Sequence, residues 1–124
     1  MPITTTDIIT RDFLTGIIRL HILYHATQEP VYGLDLLQEL ATHGYALSPG
    51  TLYPMLHALE AHGFLSMEKQ TVAGKVRKYY RATPAGKAAL AASVAQVLEL
   101  LREIGVNALP QPAPAGPSRH ECDQ

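Results

Sequence analysis

The sequence has almost no cysteine: the only one among 124 residues is Cys122, close to the C-terminus. A single thiol excludes a disulfide within the chain, which fits a reducing compartment. The N-terminal residues lack a basic start followed by an apolar run and a small-residue cleavage site. No apolar run approaches the roughly eighteen residues of a membrane helix. We therefore expect a cytoplasmic protein with no membrane partner.

Acidic residues are absent between positions 69 and 87, although the formal net charge of the whole chain is only −1. This interval contains six of the ten Lys and Arg residues: Lys69, Lys75, Arg77, Lys78, Arg81 and Lys87. A local basic stretch on a nearly neutral protein indicates that one part of the molecule binds a polyanion.

The segment from Ser48 to Gly63 is predicted to be a short helix whose outer face is small, polar and uncharged. The Ser48 hydroxyl can cap the first-turn N–H groups, Pro49 suits the first helical position, and Gly63 suits a left-handed stop. One arc, expected to be buried, contains Leu52, Met55, Leu56 and Leu59. The outer and N-terminal residues are expected to enter a DNA major groove: Ser48, Gly50, Thr51, Tyr53, Pro54 and His57. An ordinary core helix is the alternative.

A second predicted helix precedes this one, over residues 34–43, with an apolar stripe formed by Leu34, Leu37 and Leu40 together with Leu36 and Ala41. Gly44 ends it, and a short turn leads to Ser48. A helix, a glycine-containing turn and a capped helix are typical of the helix-turn-helix.

The chain after Gly63 changes to the alternation of strands. Residues 64–70 and 75–83 are predicted to form a hairpin around the turn at 71–74. Its cations would hold the phosphate backbone beside the groove as a wing: Lys69, Lys75, Arg77, Lys78 and Arg81. A solvated hairpin with a charged rim is the alternative.

Two further helices are predicted at the ends of the folded region. The first, over residues 7–27, is apolar on more than one face, so its second side, with Phe13 and Ile17, is expected to meet another subunit. The second begins after the cap Thr83 and runs to about Ile104. Its apolar seam is typical of a dimerisation helix: Leu90, Val94, Val97, Leu101 and Ile104. A seam packed within its own chain is the alternative.

The predicted fold is thus mainly α with a small β-hairpin, a winged helix-turn-helix followed by a long C-terminal dimerisation helix. We expect a DNA-binding domain over residues 7–83, the dimerisation helix over 84–105 and a disordered, proline-rich tail over 106–124.

The order of these elements resembles that of the PadR family of transcriptional regulators, in particular its smaller subfamily with a single C-terminal helix. The matching residues span positions 11 to about 104 and include Tyr32-Gly33, Ser48-Pro49-Gly50-Thr51-Leu52-Tyr53-Pro54, Leu56-His57, Leu59-Glu60, Gly63-Phe64-Leu65, Gly74, Arg77-Lys78-Tyr79-Tyr80-Arg81, Thr83 and Gly86. The resemblance implies a homodimer that binds pseudo-palindromic double-stranded DNA, usually as a repressor. We expect a small-molecule or metal inducer as a further partner.

Two other functions remain open at this point. His21 and His25 stand one helical turn apart, a spacing that can bind a metal with His43 or Cys122 in a metal-responsive sensor, although packing histidines are the simpler interpretation. A winged helix can also serve as a protein-interaction adaptor. No nucleophile–base set or carboxylate pair is suggested by the order of elements, so we expect neither an enzyme nor a cofactor.

Overall fold

The computed structural model describes residues 8–105. Its elements are α1 (Ile8–Gln28), β1 (Val31–Tyr32), α2 (Gly33–Thr42), α3 (Pro49–Ala61), β2 (Leu65–Val72), β3 (Lys75–Ala82) and α4 (Pro84–Ile104). This mainly helical architecture with one small antiparallel sheet confirms the predicted fold class. The chain divides into two compact units, and the boundary between them, at Val94 and Ala95, lies within α4. The predicted tail at 106–124 lies outside the described residues. None of the helices among residues 8–105 could span a membrane.

The core is formed where α1, α2, α3 and the sheet meet. Its most deeply buried side chains come from all of these elements: Ile22, Leu36, Leu40, Leu52, Leu56, Leu65 and Tyr80. On α1 the buried residues are Ile18, Ile22, Leu23 and Ala26, whereas Phe13 and Tyr24 are exposed. Among residues 8–105, therefore, one side of α1 is buried in the core and another side is exposed.

The sheet has three strands, not the two of the predicted hairpin. Its order is β1-β3-β2, and both pairings are antiparallel. β1 has only two residues, which pair as Val31 with Tyr80 and Tyr32 with Tyr79. The β2–β3 turn is also shorter than predicted, because only Ala73 (φ 52°) and Gly74 (φ 80°) lie outside the strands. Two left-handed residues in a two-residue loop match the right-handed twist of a hairpin.

Two sequence predictions about helix packing and capping are wrong in detail. Leu34 is 50% exposed and Ala41 is exposed too, so the buried stripe of α2 consists of the predicted Leu36 and Leu40 at a spacing of four, with Leu37 half-buried. Ser48 is the N-cap residue of α3, but its hydroxyl forms no bond to a backbone N–H. The hydroxyl lies 3.2 Å from Oγ1 of Thr51 instead. The left-handed stop at Gly63 (φ 84°) is confirmed.

The start of α4 is fixed against the end of α3 and the beginning of β2. The Thr83 hydroxyl donates to the carbonyl of Gly63 (2.6 Å) and accepts from the N–H of Gly86 (3.0 Å). The backbone N–H of Thr83 donates to the carbonyl of Phe64 (3.1 Å). Gly86 is buried directly over that same carbonyl, where a Cβ atom would collide with it. The predicted cap therefore joins three elements as well as starting a helix.

We expect Gly86→Ala to lower the free energy of unfolding by about 1–3 kcal/mol, because the added methyl group must displace backbone. The matched control is Gly50→Ala on α3, where the nearest atom to a new Cβ is Ser48 Oγ at 3.7 Å. That control should be neutral or slightly stabilising, since alanine favours helix by up to about 1 kcal/mol over glycine. Urea denaturation measures both, and equal stability of the two variants would contradict the described junction.

Candidate nucleic-acid interface

The outer face of α3 is exposed along its whole length. Gly50, Thr51, Pro54 and His57 are exposed, whereas Leu52, Leu56 and Leu59 on the opposite arc are buried. The predicted division of the helix into two faces is therefore confirmed, except that Met55 is only half-buried. The exposed face carries no charge, so it can approach base edges without burying an unpaired ion.

The N-terminal end of α3 is polar and free of carboxylates. No acidic residue lies in its first turn. The hydroxyls of Ser48 and Thr51 form a pair there, and both side chains are exposed. Pro49 has no N–H, and the N–H groups of Thr51 and Leu52 both donate to the carbonyl of Ser48, so the N–H of Gly50 is the one without a backbone acceptor among residues 8–105. The partial positive charge of this helix end favours phosphate.

Pro54 lies inside α3 without ending it. Because proline has no N–H, the helix bond to the carbonyl of Gly50 cannot form. Both residues are exposed, so this carbonyl acceptor faces the same surface as Thr51 and His57. The acceptor adds hydrogen-bonding capacity where a duplex would approach.

Tyr53 packs against the first residue of α2. A Cβ atom built on Gly33 would lie 2.6 Å from Cε1 and 2.7 Å from the hydroxyl of Tyr53, so only glycine admits the ring at this distance. Tyr53 is consequently half-buried and belongs to the edge of the core. The sequence predicts Tyr53 as a groove contact, but it gives no sign of this packing role.

A cleft of about 340 Å³ lies between the start of α2, the outer part of α3 and strand β3. It is lined by Tyr32, Gly33, Tyr53, His57, Val76, Arg77 and Lys78. Four of the predicted contact residues, two from the helix and two from the wing, thus surround one space. Ser48, Gly50, Thr51 and Pro54 belong to the exposed front of α3, and Lys69, Lys75 and Arg81 lie elsewhere on the hairpin.

Arg77 is positioned by two tyrosines. Its guanidinium carbon lies 4.7 Å from the centre of the Tyr32 ring, and the rings of Tyr32 and Tyr79 are 5.7 Å apart. A side-chain hydrogen bond with Tyr79 is the main cause that raises the pKa of Arg77. Stacking on an aromatic face restricts the guanidinium before any ligand arrives. The role of Tyr32 was not predictable, because strand β1 has no alternation to reveal it.

The other wing cations are distributed over both faces of the hairpin. Lys69 and Lys78 are directly opposite each other in the ladder, whereas Arg77 pairs with Gln70 and Arg81 with Ser66. Like charges opposite each other on a sheet are destabilising. Among residues 8–105 no wing cation forms a salt bridge with a carboxylate. The hairpin thus keeps unpaired positive charge that a polyanion would neutralise.

The helix pair α2–α3 with the basic hairpin β2–β3 beside it defines a winged helix-turn-helix. A family model described as the transcriptional regulator PadR-like family matches residues 22–92. Over 94 residues the chain is 53% identical to the transcriptional regulator Rv3488 of Mycobacterium tuberculosis, covering 76% of this chain and 88% of that protein.

Solved structures show the same fold. A PadR-like transcription factor from Bacteroides fragilis aligns with a TM-score of 0.71 at 30% identity, covering 82% of this chain and 100% of the other. A PadR family regulator from Eggerthella lenta aligns with a TM-score of 0.69 at 33% identity, covering 86% and 96%. The chain belongs to the PadR family of transcriptional regulators, which is not a class of enzymes, and the predicted resemblance is confirmed.

We expect Gly33→Ala to weaken DNA binding by about tenfold or more while the chain remains folded. The new methyl group must displace the Tyr53 ring from the start of α2, which changes the position of the front of α3. A tenfold loss of affinity corresponds to about 1.4 kcal/mol of binding free energy. The matched control is Leu34→Ala, which truncates the exposed neighbour on the same turn. Fluorescence anisotropy with labelled genomic fragments measures the affinity. Equal affinity of the two variants would contradict the positioning role of Tyr53.

Proposed function

We propose that the protein is a sequence-specific DNA-binding repressor that acts as a homodimer on a pseudo-palindromic operator and responds to a ligand. The observation that carries this proposal is the cleft in which the outer face of α3 meets Arg77 and Lys78 of β3. Family membership favours DNA over the protein-adaptor alternative, since regulators of this family bind DNA, commonly as dimers. A chromosomal target implies action in the cytoplasm.

In this proposal α3 reads bases and the hairpin supplies affinity. Thr51 and His57 would donate to or accept from base edges in the major groove, and Gly50 would allow close approach of the backbone. Ser48, Tyr53 and Pro54 would shape the front of the helix. The cations of the wing would contact phosphates beside the groove, with Lys69 and Arg81 adding to the local positive potential.

Unpartnered apolar side chains support the proposed dimer. On α1, Ile8, Ile9 and Phe13 are each at least 60% exposed. On α4 the exposed apolar residues are Val94 in the first unit and Val97, Leu98, Leu100 and Ile104 in the second. Exposed apolar surface of this extent is typical of an interaction site. We propose that residues 84–105 act as the dimerisation helix of a DNA-binding domain at 7–83, with Ile17, Leu90 and Leu101 completing the contact.

Dimerisation gives the repressor a geometric requirement. Two recognition helices that enter successive major grooves on one side of B-form DNA are about 34 Å apart. A ligand that changes this separation would change operator affinity, because only one separation permits both half-sites to be contacted. This is how we propose that the protein responds to an inducer.

We expect the double substitution of Lys75 and Lys78 by alanine to weaken DNA binding and to make it less dependent on salt. Each lost phosphate contact should reduce the slope of log K against log salt by about 0.9 units. Four contacts are lost in a dimer, so the slope should fall by up to about 3.6 units. Anisotropy titrations at several salt concentrations provide the slope.

The matched control removes the same charge from other exposed positions, Arg19 on α1 and Lys87 on α4. It should leave the slope within about one unit of the wild type, because these residues contact no phosphate in the proposed complex. If both double variants changed the slope equally, only net charge would matter, and the proposed role of the wing would be refuted.

A further inference from the structure

Three histidine side chains converge in a cleft of about 400 Å³ whose lining comes from α1, α2 and the first part of α4. His21 and His25 lie one turn apart on α1, and His43 follows α2 directly as its C-cap. Each offers a ring nitrogen, and the three nitrogens lie within 4.8 Å of one another. The fold thus brings a third imidazole to the pair that the sequence shows on α1.

The arrangement leaves the imidazole of His25 poorly satisfied as a packing group. Nε2 of His25 is enclosed and forms no hydrogen bond among residues 8–105, and Oε2 of Glu39 lies 3.9 Å from it. The rings of His21 and His43 stack with their centres 4.6 Å apart. A buried imidazole nitrogen without a hydrogen bond is costly, and buried polar groups in native proteins usually have a partner. A bound cation would be such a partner.

His21 is crowded by the other two imidazoles. Burial first, and then the neighbouring His43 and His25, lower the pKa of His21, against a smaller opposing effect of Glu39. An imidazole binds a metal ion through the lone pair of its neutral form.

Glu39 lies behind the cluster as a carboxylate. Its Oε2 atom is 3.3 Å from Nε2 of His43. A histidine that binds metal through one ring nitrogen commonly donates from the other to a carboxylate, which fixes the ring orientation and increases ligand basicity.

We propose that His21, His25 and His43 bind one divalent transition-metal ion of the zinc class, with Glu39 orienting His43, and that this ion is the effector of the regulator. Imidazole ligands favour zinc, nickel or copper over magnesium or calcium. A tetrahedral zinc ion with Zn–N distances of about 2.0–2.1 Å requires ligand nitrogens about 3.4 Å apart. The nitrogens lie within 4.8 Å of one another, so no separation must close by more than about 1.4 Å. Side-chain rotation of the imidazoles can supply this movement, and the fourth position stays open for water.

The site lies where a bound ion can influence DNA binding, an effect that rests on the proposed function. His43 precedes the first residue of α3, Pro49, by six positions. An ion shared by α1 and the end of α2 would fix the helix-turn-helix against α1. Ile17, Leu90 and Val94, three of the proposed dimer contacts, line the same cleft. Metal loading can therefore alter the dimer contact and hence the separation of the recognition helices.

The first experiment is a calorimetric titration of Zn²⁺ into the EDTA-stripped, full-length protein. We expect one ion per chain, and His43→Ala, which changes an exposed residue, should weaken its binding by about 100-fold or more. Glu39→Gln should weaken it by about 10–100-fold, the usual effect of removing such a second partner. Co²⁺ in place of Zn²⁺ should give the intense visible absorption of a tetrahedral site, and this absorption should be lost in His43→Ala.

The matched control is His62→Ala, a histidine outside the cluster whose Nδ1 lies 2.8 Å from the carbonyl of Ala58. It should bind Zn²⁺ as the wild type does. Unchanged stoichiometric binding in His43→Ala would overturn the site. Loss of binding in Cys122→Ser instead would also overturn it, because the metal would then be held by the C-terminal residues.

A second readout tests the regulatory part separately. Operator affinity of the wild type should change by about fivefold or more on addition of Zn²⁺, whereas His43→Ala should bind DNA equally with and without it. If the wild type bound Zn²⁺ without any change in affinity, the effector role would be refuted while the metal site would stand. If no DNA bound under any condition, the proposed function would fail, and calorimetry would still decide the metal site.

Discussion

The burial of Tyr80 is the constraint on which the interface depends. Tyr80 is 1% exposed and lies in β3, the central strand of the sheet, where it pairs with Val31 on one side and Met67 on the other. Because side chains alternate along a strand, anchoring Tyr80 in the core places Tyr79 and Arg77 on the opposite face. A slip of one residue would exchange the two faces. The position of the wing cations is thus set by an apolar contact several residues away.

The same strand joins the two halves of the interface. β1 pairs with β3 and leads without a gap into α2, so Tyr32 reaches the Arg77 side chain while Gly33 receives the ring of Tyr53. Tyr32 therefore contacts Arg77 of the wing, and the next residue, Gly33, contacts Tyr53 of the recognition helix. The cleft between helix and wing is consequently held in shape by the folded core, and we expect it to be preorganised for a duplex.

The sequence predicts those features that arise from local periodicity. Helical spacing predicts the two faces of α3, and a glycine predicts the end of that helix at Gly63. Strand alternation around a glycine-containing turn predicts the basic hairpin. The features that it does not predict depend on contacts between distant segments. β1 is too short to show a period. The ring of Tyr53 contacts Gly33, which lies twenty positions earlier in the sequence. The Ser48 hydroxyl lies within hydrogen-bonding distance of the Thr51 hydroxyl and does not cap the backbone.

The histidines illustrate the same limit. His21 and His25 are visible as a pair because one helix turn separates them, whereas His43 joins them only when α2 has packed beside α1. Sequence spacing alone offered His43 and Cys122 as equal candidates for a third ligand. The structure brings His43 to the pair, and Cys122 lies outside the described residues.

The most direct test of the account is to find which DNA the protein selects. Purified full-length protein is incubated with sheared genomic DNA at about 150 mM salt, and the retained fragments are sequenced. We expect a few inverted repeats. The centres of their two half-sites should be about 10–10.5 base pairs apart, or a multiple of this distance. Uniform recovery of the genome would contradict it, because binding would then depend on the charge of the wing without any reading by α3.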